Sequence, residues 1–347
     1  MKKDLDEIDT DIVTLSSFIL QEQRRYNQKH KNEEGKPCII QEASGELSLL
    51  LNSLQFSFKF IANTIRKAEL VNLIGLSGIV NSTGDEQKKL DKICNDIFIT
   101  AMKSNGCCKL IVSEEEEDLI VVDSNGSYAV TCDPIDGSSN IDAGVSVGTI
   151  FGIYKLRPGS QGDISDVLRP GKEMVAAGYT MYGASAHLLL TTGHRVNGFT
   201  LDTDIGEFIL THRNMKMPLQ HSIYSINEGY TAFWDEKIAR FIAHLKESTP
   251  DKKPYSARYI GSMVADMHRT ILYGGLFAYP CSKGNNGKLR LLYECFPMAF
   301  LVEQAGGIAV NDKGDRILDL VPKTLHGKSS IWLGSKHEVE EYINFIK

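Results

Sequence analysis

The chain contains no Cys-x-x-Cys pair and no His-x-x-x-His or His-x-His spacing, so no zinc hydrolase or zinc-ribbon framework can be read from it. Its seven cysteines, an odd number, fit reduced cytosolic thiols better than a disulfide scaffold. Nothing points to redox control, although the adjacent Cys107-Cys108 pair, close to an acidic run, is a candidate for oxidation. No apolar run approaches the length of a membrane span. A Walker A loop is missing, because Gly284-Asn-Asn-Gly287-Lys288-Leu289 lacks both the spacing and the Ser/Thr, and no Rossmann glycine fingerprint occurs. Positive charge is not in excess. The net charge of −6 argues against a general binder of nucleic acid or anionic membranes, and it means that an anionic substrate needs a local cluster of cations or metals. The acidic start lacks the apolar core of a secretory signal, and Phe345-Ile346-Lys347 is no peroxisomal tag, so the cytoplasm is the expected location. The length of 347 residues predicts about two domains.

The most informative stretch that is present is Val130-Thr-Cys-Asp133-Pro134-Ile135-Asp136-Gly137-Ser138-Ser139-Asn140. Pro134 fixes its own φ and disfavours helix at Asp133, so both carboxylates can leave a strand end toward one small volume. The Ile135 carbonyl adds a further hard oxygen suited to Mg²⁺ or Mn²⁺. Gly137 allows close approach of backbone, and Ser138 and Ser139 can open a helix whose free N–H groups face an anion. The same letters also fit a strand ending in an ordinary Asp-Gly turn, so the rest of the chain has to decide.

Periodicity organises that remainder. Ile8, Ile12, Leu15 and Ile19 form a helical stripe, followed by a polar stretch, Gln21 to Pro37, that reads as an exposed loop or insertion. Leu47, Leu51, Leu54, Phe58, Ile61 and Ile65 predict a long amphipathic helix behind Ser44-Gly45, packed on other helices or another subunit. Residues Val71 to Gly84 read as a loop, and Asp85 to Lys103 as a third helix. Lys109 to Val112 is a short strand. Leu119 to Val122 and Tyr128 to Cys132, flanking Asp123-Ser-Asn-Gly126, predict a hairpin. Further strands follow up to about Leu210. Beyond residue 214 the pattern alternates: strands near Ile223 and Gly275, helices at Trp234 to Lys246, Ser262 to Tyr273, and from Pro297 to Gly306. The expected fold class is mixed α/β in helix and sheet layers, with two domains, 1–213 and 214–347.

Four other segments bear on chemistry. The run Glu114-Glu-Glu-Glu117-Asp118 leaves a buried strand; either it faces solvent or it joins Asp133 in a site binding several metals, since clustered carboxylates repel strongly without cations. Asp85 after Asn81-Ser-Thr-Gly84 is an N-cap or a third acidic candidate. Lys288, Arg290 and Glu294, at even spacing on a strand, would share one face, as a salt-bridge ladder or as a phosphate-and-metal edge. Asn227-Glu-Gly-Tyr230 and Ser256-Ala-Arg258-Tyr259-Ile-Gly261-Ser262-Met263 offer a guanidinium and phenols that can grip a phosphate.

Taken in order, STGDE, SEEEED, DPIDGSSN, YSINEGY, ARYIGSMVADMHRT and GKLRLLYE closely resemble class I fructose-1,6-bisphosphatase, from about Gly45 to the C-terminus. DPIDG alone would indicate only the wider lithium-sensitive, Mg²⁺-dependent phosphatase superfamily, and the downstream loops narrow it. The resemblance implies a layered sugar-phosphatase fold, a cytoplasmic homotetramer, and hydrolysis of the 1-phosphate of fructose 1,6-bisphosphate in gluconeogenesis. It implies two or three Mg²⁺, held by Glu114, Glu115, Asp133, Asp136, Glu294 and the Ile135 carbonyl. Asp85 would arrive on a mobile loop and help Glu115 activate water, with Arg290 steadying the acids. Gly137 and Ser138 would contact the 1-phosphate and the Met263 backbone the sugar. Asn227, Tyr230, Tyr259, Tyr279 and Lys288 would hold the 6-phosphate, and Arg258 would reach in from a neighbouring subunit. No acidic ligand is missing, which counts against a catalytically silent scaffold of the same fold.

Departures concentrate elsewhere. The family's AMP site corresponds to Ser44, Gly45, Glu46, Leu47 and Ser48 with Tyr128. Here Ser127 stands where the family has a basic residue, and Lys155 where it has arginine. The implied nucleotide site is therefore weakened or rewired.

Overall fold

The structure, a computed structural model, describes residues 12–31, 45–68, 70, 76–80, 86–250, 253–284 and 287–347. Helices α1 (Leu15–Lys31) and α2 (Glu46–Lys67) come first, then a ribbon of β1 (Leu76–Val80) and β2 (Glu86–Lys88), and α3 (Lys89–Lys103). An eight-stranded sheet follows, made of β3 (Cys108–Ser113), β4 (Ile120–Val121), β5 (Tyr128–Asp136), β6 (Val147–Lys155), β7 (Met174–Tyr182), β8 (Ala186–Thr191), β9 (Val196–Asp202) and β10 (Glu207–Met215).

The second half comprises β11 (Ile223–Ser225), α4 (Glu236–Leu245), β12 (Ser256–Ala257), α5 (Met263–Tyr273), β13 (Leu276–Tyr279), β14 (Leu289–Arg290), α6 (Phe296–Gln304), β15 (Ile308–Val310), β16 (Lys328–Ser329), β17 (Ile331–Gly334) and α7 (Lys336–Ile346). Its five-stranded sheet has the order β12-β11-β13-β17-β15. Among the described residues no helix is long and apolar enough to cross a membrane.

Strand alternation stacks these elements into five layers. From β3, Ile111 points to one face with Val130, Phe151 and Leu190, where α1, α2 and α3 cover it; Leu110 and Val112 point to the other, with Ile150 and Tyr179. That second face packs on α5 and α6, which also bury Phe277 and Leu333 of the smaller sheet. The smaller sheet's outer face, with Leu276 and Trp332, is closed by α4 and α7.

Several expectations need correction. The first helix starts at Leu15 and not near Ile8, which lies outside the described residues; Ile12 is 63% exposed. The reason is edge pairing: Leu210 N–H donates to the Val13 carbonyl, and Thr14 bridges to Ile209, so this segment runs extended along β10. Gln21 to Lys31 is helix rather than loop, as its run of Gln, Glu, Arg and Lys permits; residues 32–37 lie outside the described residues. Within Val71–Gly84, Leu76–Val80 is a strand paired antiparallel with Glu86–Lys88 (71–75 and 81–84 lie outside the described residues), which delays α3 to Lys89.

The hairpin expectation also fails, with a consequence for function. β4 pairs antiparallel with β3, and β5 lies parallel to β3 on its other edge. The 123–126 turn wraps the start of β3 so closely that a Cβ on Gly126 would lie 2.5 Å from the Cys108 carbonyl carbon. Parallel pairing puts the carboxyl ends of β3 and β5 side by side, Ser113 opposite Cys132, and those ends carry the two acidic motifs. Nearby, burial pushes the Cys107 thiol up and the Cys108 thiol up to about 12, so both resist forming the thiolate that oxidation needs.

Candidate active site

The floor of the site grows from that parallel pair. Glu114 N–H donates to the Cys132 carbonyl at 3.1 Å, continuing the ladder into the acidic run. On β5 the Ile135 N–H caps Asp133 Oδ1 at 3.0 Å, and Thr149 Oγ1 of β6 donates to the Pro134 carbonyl at 2.7 Å, so the proline turn is fixed from both sides. Asp136 meets the start of α5: the Val264 N–H donates to its Oδ2 at 2.8 Å, placing a carboxylate on a helix N-terminus.

Glu294 arrives differently from the sequence expectation. Only Leu289–Arg290 is strand; Leu291–Cys295 is a π-helical turn running into α6, so an alternating strand face does not carry Lys288, Arg290 and Glu294. The turn nonetheless folds Glu294 back, and its Oε2 accepts the Arg290 N–H at 2.6 Å. Asp133, Asp136 and Glu294, all buried, bring carboxylate oxygens within 4.8 Å of one another. Arg290 Nη2 lies 3.1 Å from Glu114 Oε1, and its Nη1 4.0 Å from Glu294 Oε2.

Packing carboxylates out of water holds protons on them. Burial, then Glu114, Asp136 and Glu294, push Asp133 well above the carboxylate range. Burial raises Asp136 to about 6, against the Val264 N–H that lowers it, with Glu114 adding to the rise. Glu294 rises to about 8 through burial and Glu114, against Arg290. Arg290 itself is driven upward by Glu294 and Glu114, outweighing the burial that opposes its charge.

Above this floor opens a cavity of about 480 Å³. Glu114, Glu115, Asp133, Ile135, Asp136, Gly137, Ser138, Met263, Arg290 and Glu294 line it, and so do Asn227, Tyr230, Tyr259, Tyr279 and Lys288. The last group, without Tyr259, continues into an adjoining cavity of about 160 Å³ beside Trp234 and Pro280. The acidic run therefore divides. Glu114 and Glu115 face the cavity, Glu116 Oε1 accepts the Asn95 side chain of α3 at 2.7 Å, and Glu117 and Asp118 are exposed.

Not every expected residue joins this set. Arg258 is exposed, does not line the cavity, and donates from Nη1 to the Ala257 carbonyl at 2.8 Å. Asp85 and Ser44 lie outside the described residues. Gly45, with φ of 88°, caps α2; Glu46, Leu47 and Ser48 form its first turn, where Ser48 Oγ donates to Gln23 at 2.9 Å. Tyr128 is buried at the start of β5, the end remote from Asp136.

Two acids outside the expected site residues join the cavity. Asp91 lines the cavity from the first turn of α3 and is buried. The available signal is its place on the helix face shared by Cys94, Asn95 and Phe98, where a carboxylate among buried positions calls for a reason. Asp266, in the first turn of α5, is fully buried and lines the cavity too. It sits inside ARYIGSMVADMHRT, whose arginine and tyrosine carry the more evident phosphate-binding chemistry.

Comparison with known proteins points to one family. Residues 13–213 match the family model described as fructose-1-6-bisphosphatase, N-terminal domain, and 217–347 match that of its C-terminal domain. Fructose-1,6-bisphosphatase of Saccharomyces cerevisiae is 62% identical, across 97% of this chain and 94% of that protein. The cytosolic fructose-1,6-bisphosphatase of Oryza sativa subsp. japonica is 50% identical, across 98% of this chain and 97% of its own. The crystal structure of Leishmania major fructose-1,6-bisphosphatase in holo form superposes with a TM-score of 0.87 at 42% identity, covering 96% of this chain and 99% of that one. With two matched models spanning nearly all of the chain and the acidic floor beneath its cavity, the protein belongs to the fructose-1,6-bisphosphatase family.

Proposed function

We propose that this chain hydrolyses the 1-phosphate of fructose 1,6-bisphosphate to fructose 6-phosphate and inorganic phosphate, as a cytoplasmic step of gluconeogenesis. The observation that carries the reading is the buried Asp133, Asp136 and Glu294 cluster in a cavity that Lys288 and three tyrosines also line. An all-oxygen, carboxylate-rich donor set with no His or Cys among the described lining residues fits a hard divalent cation, and the protons those acids otherwise retain fit a site completed by positive charge. Glu114, Glu115, Asp133, Asp136, Glu294 and the Ile135 carbonyl would hold two or three Mg²⁺, or Mn²⁺ in their place. When bound, these ions supply charge stabilisation for the entering and leaving oxygens.

The chain's own groups do the rest. Glu115 and Asp91, both lining the cavity, would take a proton from the water that attacks phosphorus, and the departing O1 gains a proton as the P–O1 bond breaks; Asp85 joins them in this reading. Gly137 and Ser138 hold the reacting phosphate at the Ser138–Ala143 turn. Met263 orients the sugar by its backbone, and Asn227, Tyr230, Tyr259, Tyr279 and Lys288 bind the 6-phosphate. Arg290 keeps Glu114 and Glu294 in place. Exposed Arg258 is free to serve a neighbouring copy in a homotetramer. The chain divides into an N-terminal half, 1–213, with most of the metal ligands and a C-terminal half, 214–347, with the sugar-phosphate wall. Ser44, Gly45, Glu46, Leu47, Ser48 and Tyr128 form a weakened AMP site, an idea that inhibition at low micromolar AMP would sink.

The test is phosphate release by the purified protein from fructose 1,6-bisphosphate, sedoheptulose 1,7-bisphosphate and inositol phosphate, with and without Mg²⁺. The reading expects Mg²⁺-dependent release with the fructose substrate preferred; no Mg²⁺-dependent release from any of them would refute it.

A further inference from the structure

We infer that Asp266 is a positioning residue for the end of the substrate distant from the reacting phosphate, an inference that rests on the proposed function. Asp266 touches neither floor carboxylates nor Lys288 through any hydrogen bond in the structure; its oxygens serve the Arg258–Ser262 loop instead. Oδ1 accepts Ser225 Oγ at 2.8 Å, the Ile260 N–H at 3.0 Å and Arg269 Nη2 at 2.8 Å. Oδ2 accepts the Ile260 N–H at 3.1 Å and the Gly261 N–H at 3.0 Å. One carboxylate thus gathers two consecutive loop amides, the end of β11 and a guanidinium one turn along α5.

The same guanidinium extends the hold. Arg269 Nη2 also donates to the Arg258 carbonyl at 2.6 Å, so both ends of the loop are tied to α5. Gly261, with φ of 86°, turns its carbonyl to accept Asn140 Nδ2 at 3.0 Å, joining the loop to the turn that follows Gly137 and Ser138. Between these ties lies Tyr259, which lines the cavity. The Arg258 N–H donates to the Tyr224 carbonyl at 2.8 Å and Ser262 is buried, but Arg258, Tyr259, Ile260 and Gly261 are exposed, so no apolar core fixes the phenol. Without a charged acceptor, two loop amides lose their partner, and Tyr259 loses its fixed direction.

Asp266 makes no hydrogen bond to a floor carboxylate, so its hold on Tyr259 should show chiefly at the far end of the substrate, and that separates it from a general scaffold residue. In Asp266→Asn, one amide must face a donor instead of an acceptor. The KM for fructose 1,6-bisphosphate should rise about tenfold, with a smaller change in kcat. The ratio of kcat/KM for fructose 1,6-bisphosphate over fructose 1-phosphate, which lacks the distal phosphate, should fall by about the same factor. Should Asp266→Asn fail to fold, Arg269→Ala removes one donor and the Arg258 tie, and it should move the ratio about threefold in the same direction. Equal losses on both substrates, or an unmoved ratio in a folded variant, would overturn the inference. Wild-type protein that releases no phosphate from the bisphosphate would instead overturn the function on which it rests.

Discussion

The floor of the cavity carries Glu114, Asp133, Asp136, Glu294 and Arg290 on strand ends and a helical turn, whereas its far wall carries Asn227, Tyr230, Tyr259, Tyr279 and Lys288, mostly on short loops. Like charges crowd the floor, and the backbone holds them there: Ile135, Val264 and Arg290 each give a main-chain N–H to a floor carboxylate. The wall has phenols and an amide with one lysine, and its loops are tied by carboxylates whose hydrogen bonds go to the loops and their neighbours. Asp266 ties one loop. Glu228 ties the other, accepting Tyr224 Oη at 2.5 Å and Lys246 Nζ at 2.6 Å beside Asn227. The floor crowds carboxylates together and the wall does not, so perturbations of the two regions should read out differently.

The largest effect belongs to the floor. Asp136→Ala removes a cluster carboxylate without opening the core, and kcat should drop roughly 10³-fold or more, the scale of losing a main transition-state stabiliser. Circular dichroism should show an intact fold; near-normal turnover would refute the assignment. Asp91→Asn keeps size and removes a proton acceptor, so kcat should fall about 10²-fold while Mg²⁺ affinity changes little. A loss confined to Mg²⁺ affinity would make Asp91 a ligand instead. On the wall, Lys288→Ala should raise KM for the bisphosphate about tenfold and leave kcat within about threefold, as expected when a charge-assisted contact is lost from both ground and transition states. A collapse of kcat would erase the distinction between the two regions.

The smallest effect is a dependence on pH. In the metal-free protein Glu294 titrates at about 8 and Asp136 at about 6, both above their ordinary values of 4.5 and 3.8. The folded state then binds more protons than the unfolded chain between those limits. Stability from these groups is full below the ordinary carboxylate range and is lost as pH rises toward about 8. Metal-free Tm should fall by a few degrees over that range, and Mg²⁺ should recover more at its upper end. A Tm that climbs with pH and ignores Mg²⁺ would show that the acids are not held as described.

Much of this was legible in the letters because it is local. Asp133-Pro134-Ile135-Asp136 announces itself through proline's fixed φ, and the stripe from Leu47 to Ile65 through helical spacing. The failures are nonlocal. Whether β5 pairs with β4 or β3 depends on which edge of β3 is open, and the turn at Gly126 suits either topology until its contact with Cys108 is known. Glu294 could not be placed because Leu291–Cys295 reads as a continuation of a strand; its π-helical turn follows from packing of Leu291, Leu292 and Tyr293 into the core. Asp91 and Asp266 are each a single acid within a helical segment, and only burial against the cavity separates them from a solvated face.

On the proposed function, cations displace the protons that burial and crowding hold on the floor carboxylates. Calorimetric titration of the metal-free protein with Mg²⁺ near neutral pH, in two buffers of different ionisation enthalpy, tests it most directly. Binding should release protons, and Glu294→Gln should cut both the affinity and the release. Binding without proton release that is indifferent to Glu294→Gln, or no binding at all, would contradict it.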